Sequence, residues 1–111
     1  MTVRLLIAFD ASPAALRAVE LVAAYAGEPR LLAVSVLNVQ SRPVSLWPGA
    51  GLDPAAVDAA LLKAGARALQ PALARIAARS EVRLGLPAAA ILHEAAGHDA
   101  VAVDALVVVG D

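Results

Sequence analysis

The sequence has no cysteine and very few aromatic residues. Without cysteine there are no disulfides, no thiolate nucleophile and no Cys-ligated metal site, which agrees with a cytoplasmic protein. Aromatic residues make up 3% of the chain, although hydrophobic residues make up 60%. Because alanine is abundant, the apolar excess consists of small side chains. Such side chains suit close helix packing better than a lipid-facing span.

Runs of like charge and long apolar runs are also missing. The formal net charge is −1 and the nine Lys and Arg residues are scattered, so we expect no nucleic-acid partner. The longest charge-free stretch, Leu31 to Ser41, is too short to cross a bilayer. The first apolar run ends at Asp10, before it reaches the length of a signal peptide. We therefore expect a cytoplasmic protein with no membrane partner.

The first third of the chain predicts a strand followed by a helix. At 111 residues there is room for a single domain with one core. Val3 to Phe9 is apolar except for Arg4, which is typical of a parallel strand covered on both faces. Ser12 is a good N-cap and Pro13 suits the first helical position, so a helix should begin there. It is predicted to run to about Ala26 and to bury Ala15, Leu16, Val19, Val22, Ala23 and Ala26.

The remaining elements continue this alternation. The uncharged segment from Leu31 to Val39 predicts a second strand, and the segment Gln40 to Leu52, with two prolines and two glycines, predicts a loop. Asp53-Pro54 opens a helix to about Arg79, and we expect Pro71 to kink it. Three further elements are predicted: a strand from Glu81 to Leu84, a helix from Pro87 to about Ala96 and a strand from Ala105 to Val109.

This order predicts a three-layer α/β domain with an open parallel sheet and helices on both faces. If the fourth strand pairs with the first, the strand order is 3-2-1-4 and strand order reverses between strands one and four. Ligands bind beyond the carboxyl ends of the strands at such a point. Asp10 and Gly110 would face that crevice. The helix that begins after Ser12 would point its N-terminus there, which favours anions or polar groups.

Other chemistries fit the sequence poorly. The spacing of His93 and His98 is one residue too long for the helical zinc motif, so we expect no metal site. Ser12 precedes a proline and lacks a nucleophile-elbow context, and no P-loop or dinucleotide fingerprint follows the first strand. Three simpler interpretations stay open: Asp10 as a turn residue beside the N-cap, Gly110 as a residue that ends a strand, and Asn38 as a residue that satisfies its own backbone at a strand end.

Several segments, taken in order, resemble the universal stress protein domain. They are Val3 to Ser12, Ala14 to Val19, Leu37 to Gln40, Val82 to Ile91 and Asp104 to Gly110. Together they cover nearly the whole chain, and their ordered combination is more specific than any one of them.

The resemblance implies an adenine-nucleotide-binding fold with strand order 3-2-1-4-5. In ATP-binding members the aspartate after strand one approaches adenine and ribose, and this position matches Asp10. A residue that ends strand two contacts adenine through its backbone, which matches Asn38 or, one position later, Val39. The pair that ends strand four matches Val109 and Gly110. Of the glycine-rich phosphate loop that follows in the family, the sequence supplies only the first glycine.

Two functions follow from the resemblance. The first is a stress-response or signalling module that binds ATP or another adenine nucleotide in a regulatory role and is not an enzyme. Because the rest of the phosphate loop, the last helix and the fifth strand are expected to be absent, its site would be incomplete. The alternative is a module of the same fold that binds no nucleotide and acts through protein pairing, as a homodimer.

Overall fold

The computed structural model describes residues 2–25, 32–42, 53–103 and 106–109. Its elements, in chain order, are β1 (Val3–Ala8), α1 (Pro13–Tyr25), β2 (Leu32–Gln40), α2 (Pro54–Leu73), β3 (Arg79–Leu84), α3 (Pro87–Ala95), β4 (Ala100–Val103) and β5 (Leu106–Val109). The strands form a sheet in the order β3-β2-β1-β4-β5. β1 to β4 run parallel, so the predicted α/β fold and the strand order 3-2-1-4 are confirmed.

The last part of the sheet differs from the prediction. One parallel strand is expected at Ala105 to Val109, but the strand beside β1 is β4, and β5 pairs antiparallel with β4. Hydrogen bonds between Asp99 and Arg4 explain the register, because the Asp99 N–H donates to the Arg4 carbonyl at 2.8 Å and the Arg4 N–H donates to the Asp99 carboxylate at 2.9 Å. They align Ala100 with Leu5, so the residues directly after Asp99 pair with β1 first.

α1 and α2 cover one face of the sheet and enclose the core. The core consists of Leu5, Ile7, Phe9, Ala15, Val19, Val34, Val36, Leu69, Ala72, Ile76, Ala100 and Ala102. The predicted inner face of α1 is partly wrong, since Leu16 is 37% exposed and Ala18 is buried. The small Ala18 fits where the helix is buried, whereas the larger Leu16 keeps part of its side chain in solvent.

α2 ends earlier than the sequence predicts. It runs through Pro71 as one helix but stops at Leu73, and Arg79 already belongs to β3. Beyond the helix the N–H groups of Arg75 and Ile76 both donate to the Ala72 carbonyl, at 3.0 and 3.1 Å. Ile76 lies within the helix that the sequence predicts, but in the structure it is buried in this terminal turn. A kink at Pro71 stays a prediction.

α3 covers the opposite face. Glu94 of α3 pairs with Arg83 of β3, whereas the neighbouring Val82 lies against Gly65 of α2. Because successive strand residues point to opposite faces, α2 and α3 are on different sides of the sheet. α3 has no fully buried residue, and Leu86 and Leu92 are each 74% exposed. This face is therefore covered less completely than the other.

The predicted loop from Gln40 to Leu52 is only partly described. Gln40 is the last residue of β2, and residues 43–52 lie outside the described part of the chain. Among the helices that are described, none is long and apolar enough to cross a membrane.

Candidate functional site

A polar turn follows β1 at the point where strand order reverses. β1 lies between β2 and β4, and its last residue, Ala8, aligns with Leu37 on one side and Val103 on the other. Asp10 is exposed and comes two residues after the strand. In an open parallel sheet this is where a ligand crevice forms, so the structure places Asp10 where the sequence predicts it.

The turn is built from a carboxylate, a strained residue and a helix cap. Asp10 Oδ1 accepts the backbone N–H of Ser12 at 2.9 Å. Ser12 Oγ accepts the N–H of Ala15 at 3.2 Å, and its carbonyl accepts the N–H of Leu16, which makes Ser12 the N-cap of α1 as predicted. Between them Ala11 has a φ of 63°, a left-handed conformation that is costly for a residue with a Cβ. The surroundings must hold this conformation in place.

The charge of Asp10 is stabilised locally. Hydrogen bonds from the Ser12 side chain and from the Ser12 backbone hold the pKa of Asp10 below its ordinary value, against a smaller opposing effect of burial. The carboxylate is therefore ionised at neutral pH. In that state it only accepts hydrogen bonds, so it can receive hydroxyl or amino groups of a ligand.

Asn38 lies close to this turn but is not exposed to it. Asn38 is only 4% exposed. Its Nδ2 donates to the carbonyl of Phe9 at 2.9 Å. Its Oδ1 accepts from Nε2 of Gln40 at 2.7 Å. The amide thus joins the end of β2 to the residue that precedes Asp10. In the contacts described for it, the side chain therefore satisfies the backbone of Phe9, whereas the simpler interpretation expects it to satisfy its own backbone.

Gly65 brings α2 against the same amide. A Cβ at this position would lie 2.9 Å from Asn38 Oδ1 and closer still to Cγ1 of Val82. Any larger residue would push the helix away from β2 and β3. The glycine therefore permits α2 to seal Asn38 from water.

The other predicted site residues are not all at this end of the sheet. Val39 is half-buried and aligns with Arg83, so it faces the α3 side, whereas Asn38 faces α2. Val109 aligns with Ala100 at the amino end of the parallel strands, because β5 is antiparallel. The structure therefore does not bring Val109 to the edge where Asp10 lies. Gly110 is outside the described residues.

A model of the universal stress protein family matches residues 1–110. The chain belongs to this family. One solved structure with the same fold is a member from Burkholderia pseudomallei, which is 21% identical, with a TM-score of 0.65 over 91% of this chain and 80% of that chain. Another, a universal stress protein in complex with cAMP, is 22% identical, with a TM-score of 0.49 over 91% of this chain and 72% of that chain. No curated protein matches the chain.

In this member of the universal stress protein family, sequence reasoning missed two residues beside the predicted site. The sequence predicts Gln40 in a loop, but it ends β2 and contacts Asn38. Gly65 lies inside the predicted helix that opens at Asp53-Pro54, and the sequence pattern gives it no special role. A glycine inside an alanine-rich helix costs about 1 kcal/mol relative to alanine, and that cost is the signal of a close approach.

The histidines form no visible metal site. His98 Nδ1 lies 2.9 Å from the Glu94 carbonyl, and His93 is in the last turn of α3. Within the described ranges, no group of three His, Asp or Glu side chains could hold a metal ion.

Proposed function

We propose that this universal stress protein binds the nucleoside part of an adenine nucleotide at the Asp10 turn, in a regulatory role without turnover. The observation that carries the proposal is the position of an exposed, ionised carboxylate at the reversal of strand order between β1 and β4. Membership of the family supports the same ligand class.

The hydrogen bonds of the turn favour ribose or adenine over phosphate at this point. Of the first residues of α1, Pro13 has no N–H and Ala15 already donates to Ser12 Oγ. The Ser12 N–H is taken by Asp10. A phosphate would therefore find few donors here and a carboxylate charge close by, whereas a ribose hydroxyl or an exocyclic amino group would find an acceptor.

The electrostatics of Asp10 also favour binding over catalysis. A general acid or base works best when its pKa lies near the working pH. The pKa of Asp10 is shifted down, away from neutral pH. We therefore propose that the bound nucleotide changes the surface or stability of the protein, which a partner in stress signalling then reads.

The test compares two aspartates that each accept the backbone N–H of the residue two positions further on. Asp53 caps α2 and accepts the N–H of Ala55 at 3.1 Å, much as Asp10 accepts the N–H of Ser12. Isothermal titration with adenosine, AMP and ATP should show that Asp10→Ala weakens binding by about tenfold to a hundredfold, the effect of one hydrogen bond to a charge. Asp53→Ala should lower stability but leave affinity unchanged. No binding by the unaltered protein at millimolar ligand, or equal losses in both variants, would contradict the proposal.

A second candidate function is protein pairing through the edge of the sheet. β5 is the last strand in the sheet order and pairs with β4 on one side. Such an edge can pair with a second copy of the chain. Sedimentation should then show a dimer, and a lysine in this edge strand, as in Val107→Lys or Val108→Lys, should shift it toward monomer. A monomer at all concentrations would exclude this function.

A further inference from the structure

The carbonyl of Phe9 is held by the buried side chain of Asn38. The Phe9 N–H donates to the Leu37 carbonyl at 2.8 Å, and the Phe9 carbonyl accepts Asn38 Nδ2 at 2.9 Å. Both peptide groups of Phe9 are therefore anchored to β2. Since the second of them is the peptide bond to Asp10, its orientation sets the direction in which the turn leaves the sheet.

An amide side chain is costly in free energy at this buried position. Along β2 the neighbouring residues on the same face, Val34 and Val36, are apolar and buried, and Asn38 is the one buried polar residue of the described chain. Burying an amide costs free energy unless its groups are hydrogen-bonded. Asn38 meets this condition with a donor to Phe9 and an acceptor for Gln40, under the close cover of Gly65.

The strain at Ala11 needs such an anchor. A non-glycine residue with positive φ persists only where its surroundings determine its conformation. On the helix side, the cap at Ser12 supplies this constraint. On the strand side, the hydrogen bond from Asn38 to Phe9 supplies it.

We propose that Asn38, supported by Gln40, is a positioning residue that aims the Asp10 carboxylate into the crevice without touching the ligand. This inference rests on the proposed function, because Asp10 is taken as the ligand contact. It assigns the side chain of Asn38 a role separate from the backbone contact that the family resemblance implies.

The test measures Asp10 itself, with no nucleotide present. Carbon-13 NMR titration gives the pKa of the Asp10 carboxyl in the unaltered protein and in Asn38→Ala, Gln40→Met and Val36→Ala. Val36→Ala removes buried volume from the same strand and face but leaves the hydrogen bonds of Asn38 in place. If Asn38 positions the turn, Asn38→Ala loosens the contact of Asp10 with Ser12 and raises the pKa toward the ordinary value of about 3.9. Gln40→Met produces a smaller rise, and Val36→Ala produces none.

An unchanged pKa of Asp10 in folded Asn38→Ala, or an equal rise in Val36→Ala, overturns the proposal. If Asn38→Ala does not fold, Gln40→Met decides in the same way. AMP titration adds the functional readout: Asn38→Ala should bind about tenfold more weakly, comparable to the loss of one hydrogen bond to a charge. If the unaltered protein binds no AMP, the proposed function fails, but the pKa comparison still decides whether Asn38 positions Asp10.

Discussion

The two ends of the parallel strands carry an aspartate each, and they use it differently. At the amino end, the Asp99 N–H donates to the Arg4 carbonyl, and the Arg4 N–H donates to the Asp99 carboxylate. Nε and Nη2 of the Arg4 guanidinium also donate to this carboxylate, at 3.3 and 3.2 Å. At the carboxyl end, Asp10 is bonded only to its near neighbour Ser12 among the contacts described for it. A carboxylate with a long-range cationic partner uses its acceptors on a contact within the fold, which stabilises it modestly because both side chains are exposed. A carboxylate that is oriented by a local turn keeps acceptor capacity for a ligand.

At the carboxyl end α2 lies very close to β2 and β3 at Gly65. Of the substitutions considered, Gly65→Ala should therefore lower stability the most. The new Cβ would collide with Val82 and approach Asn38 Oδ1, so α2 must shift. Overpacking of this kind costs about 1–3 kcal/mol, which urea denaturation would measure. The double variant Gly65→Ala/Val82→Ala should recover part of the loss. If Gly65→Ala alone stabilises the protein, as helix propensity predicts, the close approach is wrong.

Ser12→Ala should have the next largest effect. It removes the cap of α1 and should lower the free energy of unfolding by about 1 kcal/mol. It should also raise the pKa of Asp10, because the Ser12 side chain is the largest cause of its shift. Asp53→Ala serves as the control, since it removes a cap at α2 and should leave the pKa of Asp10 alone. A loss of stability with no change in the pKa of Asp10 would show that the α1 cap does not act on the site.

Asp99→Asn should have the smallest effect, confined to stability and its pH dependence. Hydrogen bonds from the side chain and backbone of Arg4 hold the pKa of Asp99 below its ordinary value. The ionised group therefore stabilises the fold above the unfolded pKa of about 3.9, and this contribution is lost as the pH falls through the lower folded pKa. Urea melts from pH 7 to pH 2 should show the unaltered protein and the variant converging in acid. A change in nucleotide affinity would contradict a purely structural role for the amino end.

Much of the fold could be predicted because each of its first elements has a local signal. The apolar run of β1, the cap at Ser12 and the cap-then-proline pair at Asp53 all mark elements that the structure contains. The end of the sheet had no such signal. Residues 100–103 and 106–109 are both short apolar runs, and the choice of the neighbour of β1 depends on the hydrogen bonds between Asp99 and Arg4, which join residues far apart in sequence.

Part of the candidate site, like part of the fold, could be predicted from the sequence. Asp10 directly follows a buried strand, so its place at the sheet edge follows from topology. The side-chain partners of Asn38 depend on tertiary contacts with Phe9, Gln40 and Gly65, which no periodicity reveals. The sequence predicts Val109 at the carboxyl end because a parallel strand is expected there, and the antiparallel pairing of β5 puts it at the other end.

The most direct test of the central claim, that the carboxyl end binds a nucleoside, is a backbone amide NMR titration with AMP. The account predicts saturable shifts at Asp10, Ala11 and Ser12 and none at Arg4 and Asp99. No shifts at millimolar AMP, or shifts centred on the amino end, would contradict it.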